Sequence, residues 1–158
     1  MVDMEEVKNR VYEILDKVMD PEIPVISLTN LGIIRRVSAS EDSICITISP
    51  TYTGCPATDV IPSLIVKALK EAGFRKISVK TELAPAWTTD WITEEGKAKL
   101  VAYGIAPPPK VNSSKRTQFC PNCNSDQTSI ISIFGSTPCK SLHRCHHCEE
   151  PFEAFKCI

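Results

Sequence analysis

The sequence predicts an α+β fold: a small mixed sheet with helices on one face, followed by a C-terminal β module of the zinc-ribbon kind. Three observations lead there. The periodic segments run helix, strand, strand, helix, strand, helix. A stiff, polar stretch, APPPKVNSSKRT, then breaks the pattern. Beyond it lie six of the eight cysteines. The domain limits read from this are 1–105 for the α+β domain, 106–117 for the linker and 118–158 for the ribbon.

Each element has a local reason. Val7, Val11, Ile14, Leu15 and Val18 share one face of a helix expected over 4–19. Pro21 cannot continue it, and DPEIP (20–24) reads as a stiff loop. Strands are expected over 33–37 and 43–49, joined as a hairpin by turn residues 38–42. In the second, Ile44, Ile46 and Ile48 face one way and Cys45 and Thr47 the other. A helix is expected over 57–72, apolar at Ile61, Leu64, Ile65 and Leu69 and stopped by Gly73. Pro62 lacks an amide donor, so the regular helix is expected to begin near 59–61, with Pro62 in its first turn. Residues 76–83 alternate as a third strand. Thr93 is placed to cap a short helix over 93–103, with Glu94 and Glu95 at the positive end of its dipole.

Composition narrows the class. The 158 residues suit one domain of about 110 residues with a small appendage. The net charge of −1 does not call for nucleic acid or an anionic membrane as partner. No apolar run approaches the roughly 20 residues of a membrane span. The charged start, MVDMEEVKNR, is unlike a signal peptide, so a cytoplasmic location with reduced thiols is expected.

Reduced, clustered cysteines point to metal. Cys120-Pro-Asn-Cys123 and Cys145-His-His-Cys148 are two CxxC pairs separated by 21 residues. A two-residue spacer lets both thiolates of one tight turn reach the same ion, and two such turns complete a tetrahedral site, most simply for zinc. A structural zinc also compensates for a core too small to fold alone. Cys139 and Cys157 admit two readings: small buried apolar residues, or a second soft-metal site or redox pair. His146 and His147 are read as covering the second knuckle. From Lys110 onward six basic residues face four acidic ones, a sparse excess for phosphate binding.

In the α+β domain the informative segment is TYTGCPATD (51–59). Cys55 lies just ahead of a helix, where unpaired amides and the dipole favour thiolate, the form that binds iron or zinc. A buried core cysteine is the plain alternative. All three histidines, 143, 146 and 147, lie in the ribbon, which weakens a cysteine–histidine nucleophile. Asp20 and Glu22 place two carboxylates on the DPEIP loop, where solvation, helix capping or metal binding would each suit them. Trp87 and Trp91 fill a core or form a partner surface.

DPEIPVISLTNLG (20–32) and TYTGCPAT (51–58) resemble the small iron–sulfur assembly domain shared by SUF-associated proteins and the eukaryotic cytosolic targeting machinery. Together with LAPAWTTDWIT (83–93), YGIAPP (103–108), FGSTPCK (134–140) and EPFEAFKC (150–157), the resemblance narrows to the PaaD family of the phenylacetyl-CoA epoxidase system. It spans nearly the whole chain. It implies an accessory component, not an enzyme, which matures or loads iron or iron–sulfur centres in phenylacetate catabolism. By the resemblance, Cys55 is the iron or cluster ligand, Asp20 and Glu22 fall on the DPE motif, and Cys139 and Cys157 fall on tail motifs. The linker lacks the His/Cys-rich stretch of some relatives, leaving the ribbon and Cys55 as metal sites. The implied partners are oxygenase and reductase subunits or other iron–sulfur clients. One cysteine holds no stable cluster, so a homodimer or client cysteines would complete it. The competing reading is a docking module that uses the ribbon and the Trp87/Trp91 surface and transfers no metal. A self-contained oxygenase is excluded by the lack of a di-iron carboxylate–histidine set.

Overall fold

The computed structural model of the chain describes residues 3–51, 56–114 and 117–157. It forms two compact units, Met1–Trp87 and Thr88–Ile158. In the first, α1 spans Met4–Leu15, and the Asp3 carboxylate accepts the Glu5 amide at its start. Val11 and Leu15 are its buried residues. The helix stops short of the expected residue 19 because the following backbone has other partners. Leu28 N–H donates to Val18 O (2.9 Å), Asp20 N–H donates to Ile26 O (2.9 Å), and Met19 bridges to Ser27.

Strands β1 (Ile34–Ala39) and β2 (Ser43–Ile48) form the expected antiparallel hairpin, with Val37 opposite Ile46 and Ala39 opposite Ile44. β3 (Lys76–Thr81) lies parallel on the other side of β2, which makes the sheet mixed, in the order β1-β2-β3. A parallel neighbour needs a crossover. Helix α2 (Ala57–Glu71) supplies it. α1 packs on β1, α2 on β3, and the two helices on each other, so they share one face of the sheet.

α2 begins at Ala57, earlier than expected, and Pro62 lies inside it rather than in its first turn. Ala57, Ile61, Ile65 and Leu69 are all buried at a spacing of four. That stripe extends the helix toward its N-terminus despite the donor that Pro62 lacks. At its other end Gly73 has φ +98°. Gly73 N–H returns to Lys70 O and Phe74 N–H to Leu69 O, a Schellman closure that suits glycine. Trp87 is buried, and its Nε1–H donates to Leu31 O at 2.9 Å.

In the second unit α3 (Glu94–Ala102) has the expected cap: Thr93 Oγ1 accepts the Gly96 amide at 3.0 Å. β4 (Ile105–Ala106), β5 (Thr128–Ser132), β6 (Lys140–Cys145) and β7 (Pro151–Phe155) form one sheet in the order β4-β7-β6-β5. The compact units divide at Trp87/Thr88. Ile105 and Ala106 are buried and pair in parallel with Glu153 and Ala154 of β7. Within the stretch expected as a linker, Ala106 and Pro108 are buried. A prolyl ring has no donor, yet it still packs, and composition cannot distinguish the two roles. Among the described residues no helix is long and apolar enough to cross a membrane.

Candidate metal centre

The strand register assembles the centre. Cys145 ends β6 and sits opposite Thr128, the first residue of β5. Thr128 Oγ1–H donates to Gln118 O at 2.7 Å, which ties the first knuckle to that strand. The two knuckles share a backbone pattern. Cys120 N–H donates to Ser125 O (2.9 Å) and Cys145 N–H to Glu150 O (3.0 Å). The residue after the second cysteine is left-handed in both: Asn124 at φ 61° and Glu149 at φ 62°. Asparagine tolerates this region, whereas a glutamate there costs about 1 kcal/mol. Glu149→Gly is therefore expected to stabilise the metal-loaded protein by up to about 1 kcal/mol, read as a raised urea midpoint.

The four sulfurs converge. Cys120, Cys123, Cys145 and Cys148 place their Sγ atoms within 4.8 Å of one another. Cys120 and Cys148 are 3.7 Å apart, and Cys123 and Cys145 are 3.5 Å apart. A tetrahedral ion with metal–sulfur bonds of about 2.3 Å needs sulfur–sulfur edges of about 3.8 Å, so the donor set fits. Cys120 and Cys145 also form the core of this unit with Ala106, Phe152 and Ala154.

Amides prepare the thiolates. The Cys148 N–H, at 3.5 Å from Cys145 Sγ, is the main cause that lowers the Cys145 thiol to about 6, and the His147 N–H at 3.4 Å adds to it. On Cys123 the Ser125 amide is the largest influence and acts downward, but desolvation and the neighbouring thiols together push it up to about 12. A dication held by these four sulfurs would favour the thiolate form of each. Asn122 Nδ2–H reaches Cys148 Sγ at 3.7 Å, a contact the spacing alone does not reveal.

The remaining expected site residues fare differently. Cys55 lies outside the described residues. Asp20 is buried, and its Oδ1 accepts the Glu22 and Ile23 amides, both at 2.8 Å, so this carboxylate shapes the DPEIP turn. Glu22 is half-buried on the same turn. Cys139 is buried with its Sγ 3.0 Å from Thr137 Oγ1, whereas Cys157 Sγ accepts from Thr89 Oγ1 at 3.9 Å. Lys156 N–H donates to Cys139 O at 2.9 Å. Among the described residues neither cysteine joins a metal-type cluster. His146 is exposed with Nε2 2.8 Å from Ser129 Oγ, and His147 is exposed too.

The FGSTPCK and EPFEAFKC segments meet elsewhere. Lys140 is buried and pairs with Glu153 at 3.0 Å. The Ser136 amide and hydroxyl donate to the two Glu153 oxygens at 2.6 and 3.0 Å. A Cβ on Gly135 would come within 2.9 Å of Glu153 Oε1, so the glycine opens room for the carboxylate. In the sequence only the cysteines of these motifs stand out. The lysine and glutamate pass as surface charges, their usual place.

Known proteins resemble the chain over both units. The PaaD zinc beta ribbon domain family matches residues 105–156, and the iron-sulfur cluster assembly protein family matches residues 8–80. An Escherichia coli (strain K12) protein, provisionally named as one of the subunits of 1,2-phenylacetyl-CoA epoxidase, is 42% identical over 153 residues, covering 95% of this chain and 93% of that protein. A Bacillus subtilis (strain 168) Fe-S protein maturation auxiliary factor is 32% identical over 103 residues, covering 64% of this chain and 97% of that protein. Among solved structures, a domain of unknown function from Bacillus anthracis is 30% identical with a TM-score of 0.57, covering 61% of this chain and 93% of its own.

Proposed function

The chain belongs to the PaaD family, and from that premise we propose that it is an accessory maturation factor for the iron or iron–sulfur centres of a multicomponent phenylacetyl-CoA epoxidase. The observation that carries this reading is the pairing of similarities. The chain matches a protein named for the epoxidase over nearly its whole length, and over 103 residues it matches an Fe-S protein maturation auxiliary factor, covering 97% of that protein. In this reading the labour is divided. The four-cysteine centre holds zinc as a scaffold: its two innermost sulfurs are almost fully buried, a closed structural site rather than one with an open coordination position. Cys55 thiolate binds iron or a cluster as cargo and passes it to a client protein, with a second copy or the client supplying the missing ligands. Asp20 holds the DPEIP turn in shape, and Glu22 is the carboxylate of that turn assigned to the cargo. The chain's own contribution is ligation and handover, not oxygenation.

The competing docking reading loses part of its surface, because Trp87 is buried and bonded to Leu31 O. The decisive experiment is co-expression of the epoxidase subunits with the Cys55→Ser variant. Iron and cluster content of the purified client should fall severalfold while the variant keeps its zinc. Unchanged loading of the client would rule out transfer through Cys55 and favour docking.

A further inference from the structure

β5 is an edge strand of the ribbon sheet, bonded on one side by β6. Edge strands that must remain single usually carry charges or proline. Residues 128–134, TSIISIF, carry neither. The β5–β6 register shifts between Ile130 and Ser132, a bulge at Ile131 that interrupts the two-residue alternation. Ile130, Ile131, Ile133 and Phe134 are exposed at 55, 55, 62 and 61%. The unit thus presents outward more large aliphatic surface than it buries around its cysteines.

We propose that β5 is a self-association surface, on which a second copy of this chain lays its own β5 antiparallel about a twofold axis near the middle of the strand. A twofold makes one patch serve both copies. The strand has no charge, so two copies meet without repulsion. Its ends are complementary. Asp126 precedes β5, and Lys156 Nζ lies 4.6 Å from the centre of the Phe134 ring beyond its other end. Antiparallel pairing brings Asp126 of one copy toward the partner's Lys156, twice across the axis, whereas parallel pairing sets like beside like.

The area agrees with a reversible dimer. The four exposed side chains present on the order of 450 Å² per copy, the size of a functional patch. Two copies hide on the order of 900 Å² before any backbone is counted, close to the roughly 1,000 Å² at which specific interfaces begin. The surface involves neither Cys55 nor the four-cysteine centre, so its failure leaves the maturation reading untouched.

Sedimentation equilibrium of the zinc-loaded full chain, from low-micromolar to sub-millimolar concentration, tests the proposal. The wild type should show a monomer–dimer equilibrium, and Ile131→Lys should raise the dissociation constant by about tenfold or more. Asp126→Lys should weaken the dimer, and adding Lys156→Asp to it should restore association. Retained zinc identifies variants that fold. Should Ile131→Lys lose its zinc, hydrogen exchange of the wild type decides: protection of the 129–133 amides that rises with concentration supports pairing, and flat protection overturns it. A wild type monomeric throughout, or a dimer indifferent to Ile131→Lys, overturns it as well. Protection of β5 by an oxygenase component but not by a second copy makes that component the occupant and overturns self-pairing.

Discussion

Cys145→Ser is expected to unfold the ribbon while leaving the first unit folded. Anaerobically purified wild type should be colourless and carry one zinc per chain; the variant should carry none. The scale follows from the donor set. Four convergent thiolates in a small zinc module contribute an apparent ~10–16 kcal/mol, as much as the whole stability of an ordinary domain. Cys145 is the most exacting position to lose. It is fully buried, its sulfur accepts two amides, and its backbone N–H closes the second knuckle on Glu150. Serine has a shorter reach and is not deprotonated near neutrality, so neither ligation nor burial survives. The measurement is hydrogen exchange across β5, β6 and β7, which should lose protection. The amides of α1, α2 and β2 should keep theirs, because they close over a separate core of Leu15, Ile46, Ile65 and Leu69. A strong chelator should reproduce the pattern in the wild type. Persistence of the ribbon amides without metal would contradict the scaffold role.

Glu153→Gln is the second large effect. The carboxylate pairs with Lys140, whose side chain is only 6% exposed, and accepts two further bonds from Ser136. Removing the charge leaves an ammonium in a protein interior, at a cost of about 3 kcal/mol or more. The paired replacement Lys140→Met with Glu153→Leu should recover most of that loss, because no charge then stays buried alone. The same site gives the protein an acid dependence. Burial acts to raise the Glu153 carboxyl, but the Ser136 amide and Lys140 outweigh it and hold it below its usual 4.5. Such a group stabilises the fold in full above its unfolded pKa. The contribution fades as pH drops below about 4.5 and through the folded value. The difference in stability between wild type and Glu153→Gln should therefore shrink toward acid pH. Subtraction cancels the acid release of zinc common to both proteins. A difference that stays constant with pH would show that the pair is not the cause.

Residues whose role depends on local spacing were legible in the sequence. The CxxC pairs, the Thr93 cap, the Gly73 stop and the alternation of Ile44, Ile46 and Ile48 all act within a few residues along the chain. What misled the reading were competitions between local preference and distant partners. The first helix should have reached residue 19 by periodicity, but the 18–20 backbone bonds to 26–28 instead. Pro62 argued for a late start to α2, and a buried stripe from Ala57 to Leu69 overrode it. The stretch from Ala106 reads as a stiff linker, and β7 pairs with Ile105 and Ala106 at its start.

By itself, the sequence determined the α+β class and the ribbon with its two CxxC pairs, since cysteine spacing and hydrophobic period are written in consecutive residues. The tertiary structure alone decided that Lys140 is interior and paired with Glu153, and that β4 pairs with β7. Those facts depend on strand register. Register is a relation between segments far apart in the chain, and a shift of one residue would reverse the facing of every side chain in a strand.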